Sequence, residues 1–162
     1  MAKKRLDWDE TASAAVNARA QLPALAQSYF DHGRKLLELS SAPSAMHHFR
    51  LETKAFRYTL ELFRPCYGPA MERYLSGLRE IQDSLGALND CVATRDLIAE
   101  KLPKQDPDCQ MIEAFLAGHG KREAAKFSRH WRTTFDSPGQ EQRWLRYLSR
   151  RSGTALPSNS TR

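Results

Sequence analysis

The chain has 162 residues, enough for one well-formed core and few for two domains. Hydrophobic residues at 41% and charged residues at 27% exclude a disordered chain, and no apolar run approaches the roughly 20 residues that cross a bilayer. The net charge of +6 and pI near 9.4 favour a polyanionic partner: nucleic acid, polyphosphate, anionic lipid or acidic protein. Charge alone does not choose among them.

Residues 1–21 are polar and Ala-rich, and read as a weakly anchored segment that is helical from about Trp8. Pro23 suits the first turn of a helix running to about Leu39, with Leu25, Tyr29, Leu36 and Leu37 facing inward. Gly33 costs that helix about 1 kcal/mol against Ala and would permit a close helix crossing. The segment SSAPSA then separates it from the next element.

Met46 to Phe63, MHHFRLETKAFRYTLELF, has no Gly or Pro and is preceded by Ser44, a suitable N-cap, so it is expected to be helical. His47, Arg50, Lys54, Arg57 and Glu61 fall within an arc of roughly 80°. Phe49, Phe56, Leu60 and Phe63 form one apolar stripe, and Leu51, Tyr58 and Leu62 form a second beside the basic row. A surface helix normally keeps its charges opposite the core. A basic row between two apolar stripes belongs instead along a groove or inside a bundle, where clustered cations require an anionic partner.

RPCYGP at 64–69 ends that helix. The next helix starts near Ala70 and ends before Pro103, with Leu78, Leu85 and Val92 on one row and Ile81 and Leu88 on another. Arg79, Asp83, Gly86 and Asp90 form an adjacent row. Its glycine either admits another helix backbone, bringing the acids onto the basic row, or bends a long helix; both readings stand. A fourth helix is expected from Asp108, as N-cap, with Met111, Ile112, Phe115 and Leu116 inward and an interruption at Gly118 and Gly120. It resumes with Phe127, Trp131 and Phe135 at core spacing and Arg122, Lys126 and Arg129 as a second basic row. A short helix from about Gly139 to Arg150 presents Trp144, Leu145 and Leu148, and the Ser/Thr/Pro-rich tail at 152–162 is expected to be disordered. These elements predict an all-α fold, an antiparallel four-helix bundle with additional terminal helices occupying 22–151.

Catalytic signals are missing. There is no GxSxG, no Walker loop and no HExxH. His47 and His48 point about 100° apart on a helix and do not share one ion readily. Cys66 lies in a Pro/Gly turn and Cys91 in an apolar helix, so both read as inert thiols. With Cys109 they make three, without CxxC spacing, and MAKKRLDWDET lacks an apolar signal region, so a reducing cytoplasm is expected. No enzyme, cofactor or metal is expected.

The helix from Met46 resembles the signature helix of the CHAD family, the conserved-histidine α-helical domains. That helix carries a His, an Arg three residues on, basic residues one turn later, then an Arg-aromatic pair and a Glu; His47, Arg50, Lys54, Arg57, Tyr58 and Glu61 match. Ala55 stands where the family often has a second basic residue. LREIQDSLGALND, Leu78 to Asp90, resembles the family's downstream Leu-Gln-Asp-x-Leu-Gly-x-x-Asn-Asp segment, and the likeness spans about 24–135. Family members look like all-α binders of inorganic polyphosphate, usually built from two such bundles related by pseudo-twofold symmetry. One signature helix implies half of that arrangement, which a homodimer would restore.

The resemblance implies non-catalytic binding of inorganic polyphosphate, a chain with about one charge per phosphate and no bases to read. A track of cations on rigid helices suits it, with affinity that falls steeply as salt rises. Arg50 and Arg57 can grip phosphate oxygens with two donors each, and Lys54 acts as a point charge. Arg122, Lys126 and Arg129 are candidates for an opposite wall, with Arg34, Lys35 and Arg79 as further candidates, while Glu61 would orient an Arg. An anion beside His47 favours its protonated form, so tighter binding at mildly acidic pH is expected. Granule association in the cytoplasm would follow. Two alternatives remain: a nucleic-acid binder, although the aromatics lie at core spacing, and an accessory partner of a triphosphate-metabolising enzyme, since the carboxylate cluster for such chemistry itself is missing.

Overall fold

A computed structural model describes residues 8–38, 43–103 and 106–150. Five α-helices account for most of them: α1 (Ala14–Glu38), α2 (Pro43–Leu62), α3 (Met71–Lys101), α4 (Pro107–His130) and α5 (Gln140–Ser149). A 3₁₀ turn at Arg64–Cys66 joins α2 to α3, and a π turn at Trp131–Phe135 follows α4 directly. The four long helices run up and down in antiparallel succession, and α5 returns antiparallel to α1. The fold is all-α, and no strand occurs among the described residues.

The core is dominated by aromatic rings. Tyr29 and Phe30 on α1 meet Phe49 and Phe56 on α2, Trp131 and Phe135 of the π turn, and Trp144 on α5. Leu78, Ile81 and Leu85 from α3 are fully buried beside them. The expected stripe Phe49, Phe56, Leu60 and Phe63 is buried throughout, as are Phe127, Trp131 and Phe135. Gly33 does permit a close crossing, because the Trp131 indole lies where its side chain would stand.

Several boundaries differ from expectation. The first helix begins at Ala14, so Pro23 is an interior residue and not part of the first turn. Proline removes one backbone donor, but the Ala-rich turns before it favour helix, and Ala18 and Leu22 are buried in the common core. Ser13 accepts from the Val16 N–H at the start, and the buried Asn17 amide bonds to the Asp9, Ala12 and Ser13 carbonyls. Trp8 therefore lies ahead of the helix in irregular backbone, stacked on Phe63 at 6.0 Å. Pro43 opens α2 as described, which puts Ser44 inside the helix and not at its cap. Leu39 and the first half of the expected linker (40–42), with the tail from 152, lie outside the described residues, while the linker's second half, Pro43 to Ala45, is helical in α2.

On α4 the cap is Asp106, whose carboxylate accepts from the Asp108 N–H at 2.8 Å, and not Asp108. The helix passes unbroken through Gly118 and Gly120. Met111 and Phe115 are not inward: they are 65% and 64% exposed, while Ile112 and Leu116 are half-buried. The aromatic core on the α4 side is built from Phe127 onward, and Phe115 stacks only on His119 of its own helix, at 6.2 Å. The second stripe of α2 differs in the same way, with Leu51, Tyr58 and Leu62 exposed and Leu62 at 74%.

Candidate anion-binding groove

The facing surfaces of α2 and α3 are set by rows of polar residues at helical spacing. From α2 come His47, Arg50, Lys54, Arg57 and Glu61; from α3 come Arg79, Gln82, Gly86 and Asn89. His47 Nδ1 donates to Asn89 Oδ1 at 2.6 Å at one end of the groove. Farther along, Arg57 Nε donates to Gln82 Oε1 at 3.0 Å and Arg57 Nη1 to Glu61 Oε1 at 2.5 Å. Arg79 Nη1 donates to Glu72 Oε1 at 2.5 Å, and its Nη2 lies 3.6 Å from Glu61. Glu61 thus orients Arg57 and adjoins Arg79. The Arg79 guanidinium in turn holds the Glu72 carboxyl below its ordinary range.

Between these fixed ends the groove is open. A Cβ on Gly86 would meet nothing within 4 Å, so no helix backbone approaches there. Asp83 and Asp90 stay exposed and form no ion pair with α2. Half-buried Arg50 and Lys54 belong to this middle stretch, and the Arg50 Nε atom is buried with no hydrogen-bond partner among the described residues. A buried guanidinium donor without an acceptor is costly, of order 1–3 kcal/mol. An oxyanion in the groove would relieve it. At the His47 end the groove opens into a cavity of about 660 Å³ lined mainly by apolar residues, including Met46, Leu88, Val92 and Leu116.

The remaining cations lie elsewhere. Arg34 is committed to carboxylates: Nε and Nη2 donate to Asp136 at 2.8 and 2.6 Å, and Nη2 also to Glu141 at 2.6 Å. That pairing, led by Asp136, raises its pKa still further. Lys35 is exposed in the last turn of α1. Arg122, Lys126 and Arg129 are exposed on α4, with Lys126 3.7 Å from Glu123. None of these three shares a hydrogen bond, an ion pair or a cavity wall with the α2 cations. The contact of α4 with α2 is apolar, through Phe127 and Phe49. Conversely, Gln82 and Asn89 were missed as groove residues, although both lie inside the LREIQDSLGALND segment.

No disulfide links the cysteines, and burial pushes the Cys91 and Cys109 thiols above their ordinary values. Among the described residues no group of three His, Cys, Asp or Glu side chains is placed to hold a metal ion. No helix among them is long and apolar enough to cross a membrane.

No curated protein and no solved structure matches this chain. The CHAD domain family model matches residues 2–99, more than half of the chain, from the N-terminus through α2 and nearly all of α3. The match contains every residue of the α2–α3 groove and stops short of α4, with its second basic row. On that match the chain belongs to the CHAD-domain family.

Proposed function

We propose that this chain is a non-catalytic binder of inorganic polyphosphate, held along the α2–α3 groove by Arg50, Lys54 and Arg57 with His47 at one end. The observation that carries this reading is the buried, unpartnered Arg50 Nε in the open middle of a groove flanked by further cations. A phosphate oxygen supplies the missing acceptor, and successive phosphates can follow the row along α2. Fixed Gln82 and Asn89 amides hold the ends of the row in place. Association with polyphosphate granules or with a triphosphate-metabolising enzyme would follow from such binding.

A homodimer placing two α2 faces across one groove is proposed as the complete form, supported by the exposed Leu51, Tyr58 and Leu62 beside the cations. A strict monomer by light scattering at high protein concentration would exclude it. Nucleic acid is the second reading. Tyr58 is half exposed with the Arg57 guanidinium 4.4 Å from its ring centre, so at least one aromatic on the groove's edge is available to stack on a base.

The deciding experiment compares long polyphosphate with single-stranded DNA of matched charge over a salt series, using wild type and an Arg50/Lys54/Arg57→Ala variant that remains helical. Preference for polyphosphate that the variant loses supports the groove. Equal binding of both polymers, unchanged in the variant, reduces the interaction to generic surface charge.

A further inference from the structure

The face of α3 turned away from the α2 groove carries Arg73, Tyr74, Gly77 and Glu80, spaced to lie together. Against it pack the π turn and the start of α5, and the three elements enclose a cavity of about 340 Å³. Its volume exceeds a lone phosphate and suits a small organic molecule. Tyr74, Phe135 and Trp144 form the floor, and Gly77 has no side chain to reduce the space. The rim is polar and largely cationic, with Arg73, Arg143, His130, Thr134 and Gln140 converging on it.

Two observations point to donors not committed to structural pairs. Arg73 and Arg143 are exposed and form no ion pair among the described residues. The His130 Nε2 atom is buried without a hydrogen-bond partner, the Glu80 carboxylate lying 3.5 Å away, too far for a good bond. Structural ion pairs elsewhere in this chain are closed: Arg34 spends its donors on Asp136 and Glu141, and Arg79 on Glu72. Here Arg73 and Arg143 have no carboxylate partner, and the Arg73 guanidinium lies over the Tyr74 ring at 5.6 Å at the edge of the cavity.

The geometry points to a second binding site, for a small hydroxylated phosphate monoester, formed by Arg73, Arg143 and His130 on the side of α3 opposite the polyphosphate groove. The two guanidinium groups and His130 Nε2 take the phosphate oxygens, which match their donors. The Glu80 carboxylate, which accepts and does not donate, would repel a bare anion. It favours a ligand whose hydroxyl group can donate to it, and so sets a monoester of a polyol or sugar above free orthophosphate. This site uses no residue of the α2 row, and it stands or falls separately from the polyphosphate reading.

The probes are ribose 5-phosphate and inorganic orthophosphate, titrated into the full chain while the Trp144 indole N–H resonance is followed. Saturable shifts are expected with both, with ribose 5-phosphate binding the tighter. Arg73→Ala/Arg143→Ala should weaken the monoester at least about tenfold, the loss of one to two charge-assisted contacts. Glu80→Gln should narrow the gap between the two probes. The Arg50/Lys54/Arg57→Ala variant should bind ribose 5-phosphate as wild type does, whatever it does to polyphosphate. A folded wild type with no saturable shift overturns the site, and so does equal binding by the Arg73/Arg143 variant.

Discussion

The indole of Trp131 packs directly against the α-carbon of Gly33: a Cβ added to it would overlap the ring carbons Cζ2 and Cη2. Trp131 is fully buried among Tyr29, Phe30, Phe49 and Phe135, so the ring has nowhere to retreat. Gly33→Ala should therefore destabilise the fold by about 1–3 kcal/mol, as overpacking does, although alanine is the better helix former. Gly86 provides the control. Its Cβ position is empty, and Gly86→Ala should stabilise by about 0.5–1 kcal/mol. Denaturant melts of the two variants should move in opposite directions.

Arg34→Ala tests whether a carboxylate-paired arginine takes part in the proposed polyphosphate binding. It leaves Asp136 and Glu141, both largely buried, without the guanidinium that joins α1 to the start of α5. Stability should fall by about 1–3 kcal/mol, while polyphosphate affinity at fixed salt should stay at the wild-type value. A clear loss of affinity in a folded Arg34→Ala protein would return this residue to the candidate site.

On the proposed polyphosphate reading, the geometry of the groove's donors matters as well as their charge. Arg50→Lys retains the cation but loses the fork of donors to which the buried Nε belongs, so it should lose nearly as much polyphosphate affinity as Arg50→Ala. Lys54→Arg should be tolerated. Isothermal titration at two salt concentrations distinguishes the cases: a lysine as good as the arginine at position 50 would mean that only net charge counts.

Alkaline pH should unfold the chain through its tyrosines. Tyr29 is fully buried with its hydroxyl 2.9 Å from Thr53, and burial raises its pKa well above the ordinary value; burial raises that of Tyr67 too. Such groups lend stability that is fully present below the unfolded-state value near 10 and is lost as pH rises beyond it, because the unfolded chain releases its protons first. Each contributes a slope of up to about 1.4 kcal/mol per pH unit there. Melts between neutral pH and about pH 11 should show a plateau and then a fall that is shallower in Tyr29→Phe.

The α2 helix was legible in the sequence because two periodicities agreed there. Its apolar stripe placed the core, and its basic row placed the groove. The pairing of Phe127, Trp131 and Phe135 was equally plain. What the sequence concealed depends on neighbours that periodicity does not name. Pro23 looks like a helix start, yet the burial of Ala18 and Leu22 extends α1 nine residues before it. Gly118 and Gly120 look like breaks, but α3 runs alongside, with Cys91 Cβ 3.9 Å from where a Gly120 side chain would begin. Met111 and Phe115 have core spacing and no core opposite them. Arg122, Lys126 and Arg129 form as clean a row as the α2 cations, and only the rotation of α4 about its own axis shows that the row faces outward.

Reciprocal tyrosines join the α2–α3 connection to the last turns of α5: the Tyr67 hydroxyl donates to the Leu148 carbonyl at 2.8 Å, and the Tyr147 hydroxyl to the Tyr67 carbonyl at 3.2 Å. Residues after 99 thereby complete a core whose other half belongs to the matched family segment. A truncation at the edge of that segment would strip Trp131, Phe135, Trp144 and Leu148 from α1 and α2 and leave Tyr29, Phe30 and Phe56 facing water. Such a fragment would retain every groove cation and still aggregate, so expression boundaries for this protein should be placed beyond Arg150 and not at the limit of the family match.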